Sequence, residues 1–453
     1  MTVRVRFAPA PTGQLHLGNA RTALLNALFA HHMGGEFYLR MDDTDTDKCD
    51  AHYQTLIQED LAWLGITWDH FFQQSHRHTR YVQAFDQLQA KGFVYACYET
   101  PEELEAMRQD QRAKGLPPHY HRSLDASSLA NSDRVPYWRF ALDQQSVQWT
   151  DLIQGDMSVH MHHQSDPVVR RHDGSMSYLL ASAIDDVDTG ITHILRGADH
   201  LTNSAIQTVM MRALDGVPPQ WAHLPLMVNE SGEKFSKRKG SLSIAELRQE
   251  GWMPLAIVHS LVQLGLSYEL SGSWEDLGRQ FSLQAYRPSV SQYSLAQLSL
   301  AQERLWAQCT IEDLPSPWSS MLTPDQWLVL RCNLSHPDQL TLWQRIGNDA
   351  SYDVTGHGPC PLLPDHFWPC VHQAWQQISA DPTTLCPTWS QWKDALHHLS
   401  PDITPKNMAQ GIRWALTGLP KGPTMEDLIR IIAPEVIGAR LHRALLVPCR
   451  ADS

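Results

Sequence analysis

The stretch that most constrains the fold is residues 6–21, where a strand, a proline-rich turn and a helix follow one another. Valine alternates with arginine just before it, which predicts a short strand, and Pro9, Pro11 and Gly13 then exclude regular structure. From about Asn19, apolar residues recur at helical spacing. A helix N-terminus directly after a strand carries partial positive charge, so this corner favours an anion such as a nucleotide phosphate.

His16 and Gly18 lie in this turn. The imidazole can donate a hydrogen bond to a phosphate oxygen, and the glycine lets a ligand approach the backbone. A lone His-x-Gly is nevertheless also typical of an ordinary strand–helix connection with a buried histidine. The interpretation as a nucleotide site therefore needs a second element.

The second element is the lysine loop, Lys234-Phe-Ser-Lys-Arg-Lys-Gly240, which carries four cationic side chains. Alone, such a run is typical of a solvated basic loop or a general polyanion patch. With Ser236 between Lys234 and Lys237, and with the His-x-Gly turn upstream, we favour a different interpretation. A mobile loop of point charges suits the negative charge that develops when pyrophosphate leaves a nucleotide.

Together, Pro-x-Pro-Thr-Gly-x-x-His-x-Gly and Lys-x-Ser-Lys-Arg resemble the HIGH and KMSKS signatures of class I aminoacyl-tRNA synthetases. The Arg-Met-Asp-Asp-Thr-Asp of residues 40–45 is similar to the glutamyl and glutaminyl branch. The chain resembles a bacterial-type glutamyl-tRNA synthetase over nearly its full length, strongly over residues 1–100 and 170–265. The resemblance implies ATP-dependent activation of L-glutamate and its transfer to the 2′-hydroxyl of the terminal adenosine of tRNA-Glu.

The resemblance also implies an α/β fold with a Rossmann-type catalytic domain in residues 1–95 and 167–250. An α/β insertion, residues 96–166, would hold the acceptor end of the tRNA. Residues 251–312 would form a helical domain on the inner side of the tRNA, and residues 313–453 an all-helical anticodon-binding region. Glutaminyl enzymes use β-barrels at this end, which favours the glutamyl branch.

The motifs assign the ATP site by resemblance. The residues expected to bind ATP are Gly13, His16, Gly18, Asn19, Lys234, Ser236 and Lys237. Of these, His16, Lys234 and Lys237 are expected to be catalytic, and Asn19 takes the place of the second histidine of HIGH. Mg²⁺ would bridge the phosphates of the nucleotide.

The resemblance assigns a glutamate site as well. Its expected residues are Arg6, Ala8, Ala10, Asp42, Tyr178 and Arg196. Asp42 would meet the α-ammonium group, although most relatives have glutamate at that position. Arg6 and Arg196 would hold the side-chain carboxylate, with Tyr178 close by. Such an arginine pair favours glutamate over glutamine, because bound glutamine would leave buried charge unpaired.

Zinc-binding members of the family hold the metal in the insertion, through a Cys-x-Cys and a later Tyr-x-x-x-Cys. Here two of those thiols are missing, so a structural zinc is not expected. Cys97, Glu99, His119 and His121 remain an alternative mixed site. The eight cysteines of the chain are scattered without a Cys-x-x-Cys pair, which is typical of reduced thiols in a cytosolic protein.

The 453 residues carry a formal charge of −13, so contact with tRNA must use local basic patches. The sequence shows neither a signal segment nor an apolar run of membrane-spanning length, so we expect a cytoplasmic protein, and the resemblance implies a monomer. Three alternative functions share some of these motifs. A truncated paralogue that glutamylates a modified tRNA base would end near the lysine loop. A paralogue that charges tRNA-Gln, and a catalytically silent tRNA-binding protein, remain open.

Overall fold

The structure, a computed structural model, describes residues 2–45, 47–120, 134–142, 145–233, 242–314, 316–353, 361, 363–364, 366–380 and 387–446. Its strands are β1 Arg4–Phe7, β2 Glu36–Met41, β3 His70–Gln73, β4 Val94–Cys97, β5 Tyr137–Phe140, β6 Ser146–Asp151, β7 Gly155–His160, β8 Val168–Arg170, β9 His193–Gly197, β10 Gln220–Leu224, β11 Met227–Val228 and β12 Ser291–Gln292. Its helices are α1 Leu17–Met33, α2 Ala51–Trp63, α3 His78–Ala90, α4 Pro101–Ala113, α5 Tyr178–Asp188, α6 Leu201–Ala213, α7 Ile244–Gln249, α8 Pro254–Gln263, α9 Trp274–Gln280, α10 Leu295–Trp306, α11 Trp318–Met321, α12 Pro324–Leu330, α13 Asp338–Asn348, α14 Phe367–Ser379, α15 Trp389–Leu399, α16 Pro405–Thr417, α17 Met425–Ile431 and α18 Pro434–Leu446.

The chain divides into two compact units. The first comprises residues 1–248 and 257–297, and the second comprises residues 249–256 and 298–453. The boundaries expected from the sequence divide the chain more finely and stay predictions.

A parallel sheet forms the centre of the first unit. β1 pairs with β2, β2 with β3, and β9 with β10, each pair in parallel. The two sets meet where the Thr192 amide donates to the Arg4 carbonyl at 2.9 Å and the Arg4 amide donates to Thr192 Oγ1 at 2.8 Å. The strand order is therefore β3–β2–β1–β9–β10. Ligands of open parallel sheets bind at the carboxyl ends of the strands, where the direction of winding reverses in this way.

Helix α1 begins two residues before the position that periodicity predicts, because His16 caps it. The imidazole Nδ1 accepts hydrogen bonds from the backbone amides of Gly18 and Asn19, at 3.1 and 3.3 Å. The helix ends at Gly34, which has the left-handed φ of 59° that glycine adopts without strain. It lies between the sheet and α9, so both of its faces are buried.

The expected insertion has its own small sheets. β4, β5 and β8 form an antiparallel sheet, and β6 and β7 form a hairpin. Helix α4 is rich in charged side chains, and Thr100 and Glu103 begin it with reciprocal hydrogen bonds. After β6, the Leu152 amide donates to the Trp221 carbonyl at 2.9 Å, which fastens the hairpin to β10 of the central sheet.

The second unit is helical. Over the part of residues 298–453 that the structure describes, no strand is present, in agreement with the helical C-terminal region that the resemblance predicts. Its core is rich in buried indole rings, namely Trp306, Trp327, Trp343, Trp375 and Trp392. None of the described helices combines the length and the hydropathy needed to cross a bilayer.

Candidate active site

An open cavity of about 380 Å³ lies where β1 and β9 end and α1 begins. It occupies the place that the topology of the parallel sheet favours for a ligand. Nine residues expected from the sequence line it, namely Arg6, Ala8, Ala10, His16, Gly18, Asn19, Asp42, Tyr178 and Arg196. Side chains far apart along the chain therefore face one common space.

The His16 corner differs in detail from the expectation. The second and third amides of α1, those of Gly18 and Asn19, are already bound to His16 Nδ1. With Nδ1 accepting, a neutral ring carries its proton on Nε2, which is the atom that can donate to an anion. A Cβ on Gly18 would lie 3.1 Å from His16 Cε1, so the glycine makes room for the imidazole itself. A ligand at the start of α1 would therefore meet the His16 imidazole, and not the free amides of Gly18 and Asn19.

Of the other residues expected to bind ATP, only Gly13 is among the described residues, and it does not line the cavity. Gly13 is half-buried in the turn before His16. Lys234, Ser236 and Lys237 fall outside the described residues. The described chain resumes beside the turn, because the Ile244 amide donates to the Leu15 carbonyl at 2.9 Å and Ser243 pairs with His16.

A buried arginine that sequence reasoning missed organises the acidic wall of the cavity. Arg40 Nε donates to Asp42 Oδ1 at 2.6 Å, and Arg40 Nη1 donates to Asp186 Oδ1 at 2.7 Å. Burial raises the pKa of Asp42 to about 6, even though Arg40 opposes the rise. A positive group entering the cavity would therefore stabilise the ionised form of Asp42. Arg40 and Asp42 stand two residues apart at the end of one strand, a spacing that places them on one face and was the available sequence signal.

Arg6 is already paired with a carboxylate. Its Nε and Nη2 donate to the two carboxylate oxygens of Asp186 at 3.2 and 3.4 Å. Burial opposes ionisation of Asp186, but the Arg6 and Arg40 guanidinium groups outweigh it and lower the pKa of that carboxyl. Arg6 thus faces the cavity with much of its charge compensated.

Arg196 has a different environment, because its partners among the described residues are neutral. The guanidinium donates to Gln207 Oε1 at 2.7 Å and to Ser204 Oγ at 2.5 and 3.1 Å, and it lies 4.7 Å from the ring centroid of Trp221. The side chain is 5% exposed, and burial lowers its pKa to about 10. A buried cation with neutral partners attracts an anion into the cavity.

Comparison with known sequences decides the family. The sequence model of "tRNA synthetases class I (E and Q), catalytic domain" matches residues 2–282. Glutamate–tRNA ligase 1 of Rhodospirillum rubrum is 38% identical over 97% of this chain and 99% of its own length. Glutamate–tRNA ligase 2 of Gluconacetobacter diazotrophicus is 37% identical over 98% of this chain and 100% of its own. This chain belongs to the glutamate–tRNA ligases.

A solved structure agrees with the fold of this glutamate–tRNA ligase family member. The crystal structure of a glutamate tRNA ligase from Elizabethkingia meningosepticum, in complex with its amino acid, superposes with a TM-score of 0.81 at 24% identity. The match covers 98% of this chain and 99% of that one. The α/β class I fold and the family expected from the motifs are therefore confirmed.

In the insertion, two residues of the alternative metal site, Cys97 and Glu99, are engaged by tyrosine hydroxyl groups. Tyr120 Oη donates to Glu99 Oε1 at 2.7 Å and contacts Cys97 Sγ at 3.4 Å, and Tyr137 Oη donates to Glu99 Oε2 at 3.0 Å. His121 falls outside the described residues. Within the described ranges, no group of three or more histidine, cysteine, aspartate or glutamate side chains is arranged to hold a metal.

Proposed function

We propose that this chain activates L-glutamate with ATP and transfers the glutamyl group to the 2′-hydroxyl of the terminal adenosine of tRNA-Glu. The environment of Arg196 carries the proposal, because this buried cation with neutral partners faces the same cavity as the capped start of α1. A glutamate side-chain carboxylate would pair with Arg196. Glutamine, which is neutral, would leave that charge unpaired.

The two ends of the amino acid meet opposite charges in this proposal. Asp42 accepts the α-ammonium, and Arg40 holds the carboxylate of Asp42 in place from behind. Arg196 binds the side-chain carboxylate, with Tyr178 beside it. Ala8 and Ala10 lie against the body of the substrate, and both line the cavity.

The triphosphate lies at the corner before α1. His16 donates from Nε2 to a phosphate oxygen, and Gly18 and Asn19 support the ring through their amides. Because the attacking carboxylate and the leaving pyrophosphate are both charged, positioning and electrostatic stabilisation account for most of the catalysis. Gly13, in the turn before His16, would contact the nucleotide through its backbone.

The lysine loop completes the ATP site in this proposal. Lys234 and Lys237 neutralise the developing pyrophosphate, and Ser236 binds a phosphate oxygen. The position of the chain just after the loop supports this assignment, because Ser243 forms an antiparallel β-bridge with His16.

Mg²⁺ would be bound through the phosphate oxygens of ATP in this proposal. The described part of the chain holds no cluster of three or more metal-ligating side chains, whereas phosphate oxygens are the ligands that Mg²⁺ prefers. The carboxylate of Asp42 is engaged by Arg40, so the donor set fits a metal carried by ATP rather than by the protein. When bound, the ion supplies charge neutralisation at the phosphates.

The remaining regions serve the tRNA in this proposal. The insertion, residues 96–166, receives the acceptor end, residues 251–312 contact the inner side, and residues 313–453 bind the anticodon region. The formal charge of −13 means that these contacts use local basic patches. We propose that the enzyme works as a monomer in the cytoplasm.

Glutamate-dependent ATP–pyrophosphate exchange, with and without tRNA, tests the proposal. We expect exchange with glutamate and tRNA-Glu, and not with glutamine. Absence of exchange and of charging under all conditions would instead indicate a silent tRNA-binding protein. Charging of separate tRNA-Glu and tRNA-Gln transcripts then distinguishes an enzyme for tRNA-Glu from a paralogue that also, or only, charges tRNA-Gln.

Substitution of the second lysine of the loop tests the catalytic assignment. Lys237→Ala should lower the rate of exchange at least about 100-fold, because it removes a charge that stabilises the transition state. The measurement is the exchange rate at saturating glutamate and ATP. A near-normal rate in Lys237→Ala would reject the assignment.

A further inference from the structure

A chain of buried side chains runs behind the cavity and ends on Arg196. His223, in β10, donates from Nδ1 to Oδ2 of Asp151, at the end of β6, over 2.5 Å. Ser204, in α6, has its Oγ 2.6 Å from His223 Nε2, and Arg196 donates to that same oxygen. All four side chains are buried, yet only Arg196 lines the cavity. The chain therefore connects the hairpin of the insertion to the expected reader of the substrate carboxylate.

Asp151 sets the direction of the hydrogen bonds. Its Oδ1 accepts from the amides of Ile153, Gln154 and His223, each at 3.0 Å. Burial opposes ionisation, but the hydrogen bond from His223 and these amides lower the pKa of Asp151 to about 2. An ionised carboxylate only accepts, so the His223 proton must lie on Nδ1. Burial also lowers the pKa of His223, which leaves the ring neutral and Nε2 an acceptor.

The orientation of the serine hydroxyl follows from that tautomer. Ser204 Oγ has two acceptors within reach, the His200 carbonyl at 3.2 Å and His223 Nε2 at 2.6 Å. We assign its single proton to His223 Nε2, which is nearer and, being buried, needs a donor. Both lone pairs of Ser204 Oγ then face Arg196, whose Nη2 and Nε lie 2.5 and 3.1 Å away. Each contact in the chain has one donor and one acceptor, so the guanidinium is held in a single orientation.

We propose that Asp151 and His223 are positioning residues that hold Arg196 for the side-chain carboxylate of glutamate, and thereby help to select glutamate over glutamine. The inference rests on the proposed function and assigns two residues that sequence reasoning did not. Neither residue touches the cavity, so both act through Ser204.

Asp151→Asn tests the inference with little change of shape. The amide oxygen of the variant still accepts from the three backbone amides, so its NH₂ group faces His223 Nδ1. The histidine proton must then move to Nε2, which donates to Ser204 Oγ. The hydroxyl proton turns to the His200 carbonyl, 3.2 Å away, and one lone pair is left for two N–H groups of Arg196.

The measurement is the KM of each substrate in tRNA-dependent ATP–pyrophosphate exchange. We expect Asp151→Asn to raise the KM for glutamate about tenfold, as for a weakened hydrogen bond to a charged group, with the KM for ATP unchanged. Selectivity for glutamate over glutamine, measured as the ratio of kcat/KM values, should fall by a similar factor. A general loss of stability would not separate the two substrates in this way.

Asp166→Asn is the matched control. Asp166 is also a buried carboxylate of the insertion, and it accepts from the Tyr95 hydroxyl at 2.7 Å and from the Leu142 amide at 2.8 Å. Its hydrogen bonds do not lead to Arg196. This variant should keep both Michaelis constants, whatever its melting temperature.

The inference is overturned if Asp151→Asn leaves the glutamate KM and the selectivity unchanged, or if Asp166→Asn changes them equally. If Asp151→Asn does not fold, Ser204→Ala gives the decision, because it removes the acceptor from Arg196 directly. It should raise the glutamate KM at least about tenfold, and an unchanged value overturns the inference. Wild-type protein that shows no glutamate-dependent exchange would reject the proposed function itself, which is a separate result.

Discussion

At the scale of single residues, burial governs the charges of the cavity. It raises the pKa of Asp42 to about 6 and lowers that of Arg196 to about 10, so both groups are moved toward their neutral forms. Each is stabilised in its charged form by a partner of opposite sign. An amino acid with an ammonium group at one end and a carboxylate at the other supplies both partners, which is the physical reason to expect glutamate here.

Arg196→Gln should weaken glutamate selectively. The substitution removes the buried cation that has neutral partners, so we expect kcat/KM for glutamate to fall about 100-fold. The kcat/KM for glutamine should not fall, because the variant no longer leaves a buried charge unpaired beside the neutral amide. Steady-state exchange with each amino acid measures both values. An unchanged ratio of kcat/KM for glutamate to kcat/KM for glutamine would count against Arg196 as the residue that binds the side-chain carboxylate.

The raised pKa of Asp42 predicts an acid limit to activity. Below pH about 6, Asp42 becomes protonated and neutral, so the α-ammonium loses its carboxylate partner. The kcat/KM for glutamate should therefore fall about tenfold per pH unit below that value, and recover above it. A profile of kcat/KM from pH 5 to 8, with the KM for ATP as the internal control, checks the prediction. A flat profile down to pH 5 would show that Asp42 does not bind the ammonium in its ionised form.

At the scale of elements, hydrogen bonds and aromatic contacts hold the insertion together near β4 and β5. Tyr120 reaches Glu99 and Cys97, and the Arg139 guanidinium lies 3.8 Å from the centroid of the Tyr120 ring. Here the phenol, carboxylate and guanidinium groups account for the contacts between the strands and the segment that follows α4.

Tyr120→Phe should therefore destabilise the protein by about 1 kcal/mol, because it removes the hydroxyl that Glu99 and Cys97 contact. A chelator should leave the melting temperature of the wild type unchanged. Tyr98→Phe is the control, since its hydroxyl makes no hydrogen bond with the described residues. Thermal unfolding followed by circular dichroism measures all three, and a lower melting temperature in chelator would indicate a bound metal.

At the scale of the whole molecule, the charge of −13 opposes any broad attraction to tRNA. Binding must depend on local contacts with phosphates, which release counterions. The proposed pairing of glutamate with buried Arg196 and Asp42 would be screened far less by salt. Raising the ionic strength should thus weaken the binding of tRNA much more than the binding of glutamate.

Raising salt from about 50 to about 200 mM should weaken tRNA-Glu binding at least about tenfold, since several phosphate contacts are lost to competing ions. Binding of labelled tRNA across a salt series measures the effect. The KM for glutamate, measured at saturating tRNA at each salt concentration, is the internal control and should change much less. Equal sensitivity of the two would argue against a buried amino-acid site.

The sequence alone was sufficient for the family, the α/β fold and nine residues of the cavity lining. The corner of His16 and Gly18 is local in the chain, so its geometry follows from a few consecutive residues. The roles of Lys234, Ser236 and Lys237, which lie outside the described residues, stay predictions. Periodicity predicted the start of α1 two residues late, because the cap by His16 is a side-chain contact that periodicity does not register.

Only the tertiary structure decided which charges in the cavity are already paired. Arg40 meets Asp186, which lies 146 residues away, and Asp151 meets His223, which lies 72 residues away. Such contacts depend on how strands and helices pack, and no local pattern encodes them. For that reason the sequence identified Arg6 and Arg196 as equivalent readers of a carboxylate, whereas packing gives Asp186 to Arg6 and neutral partners to Arg196.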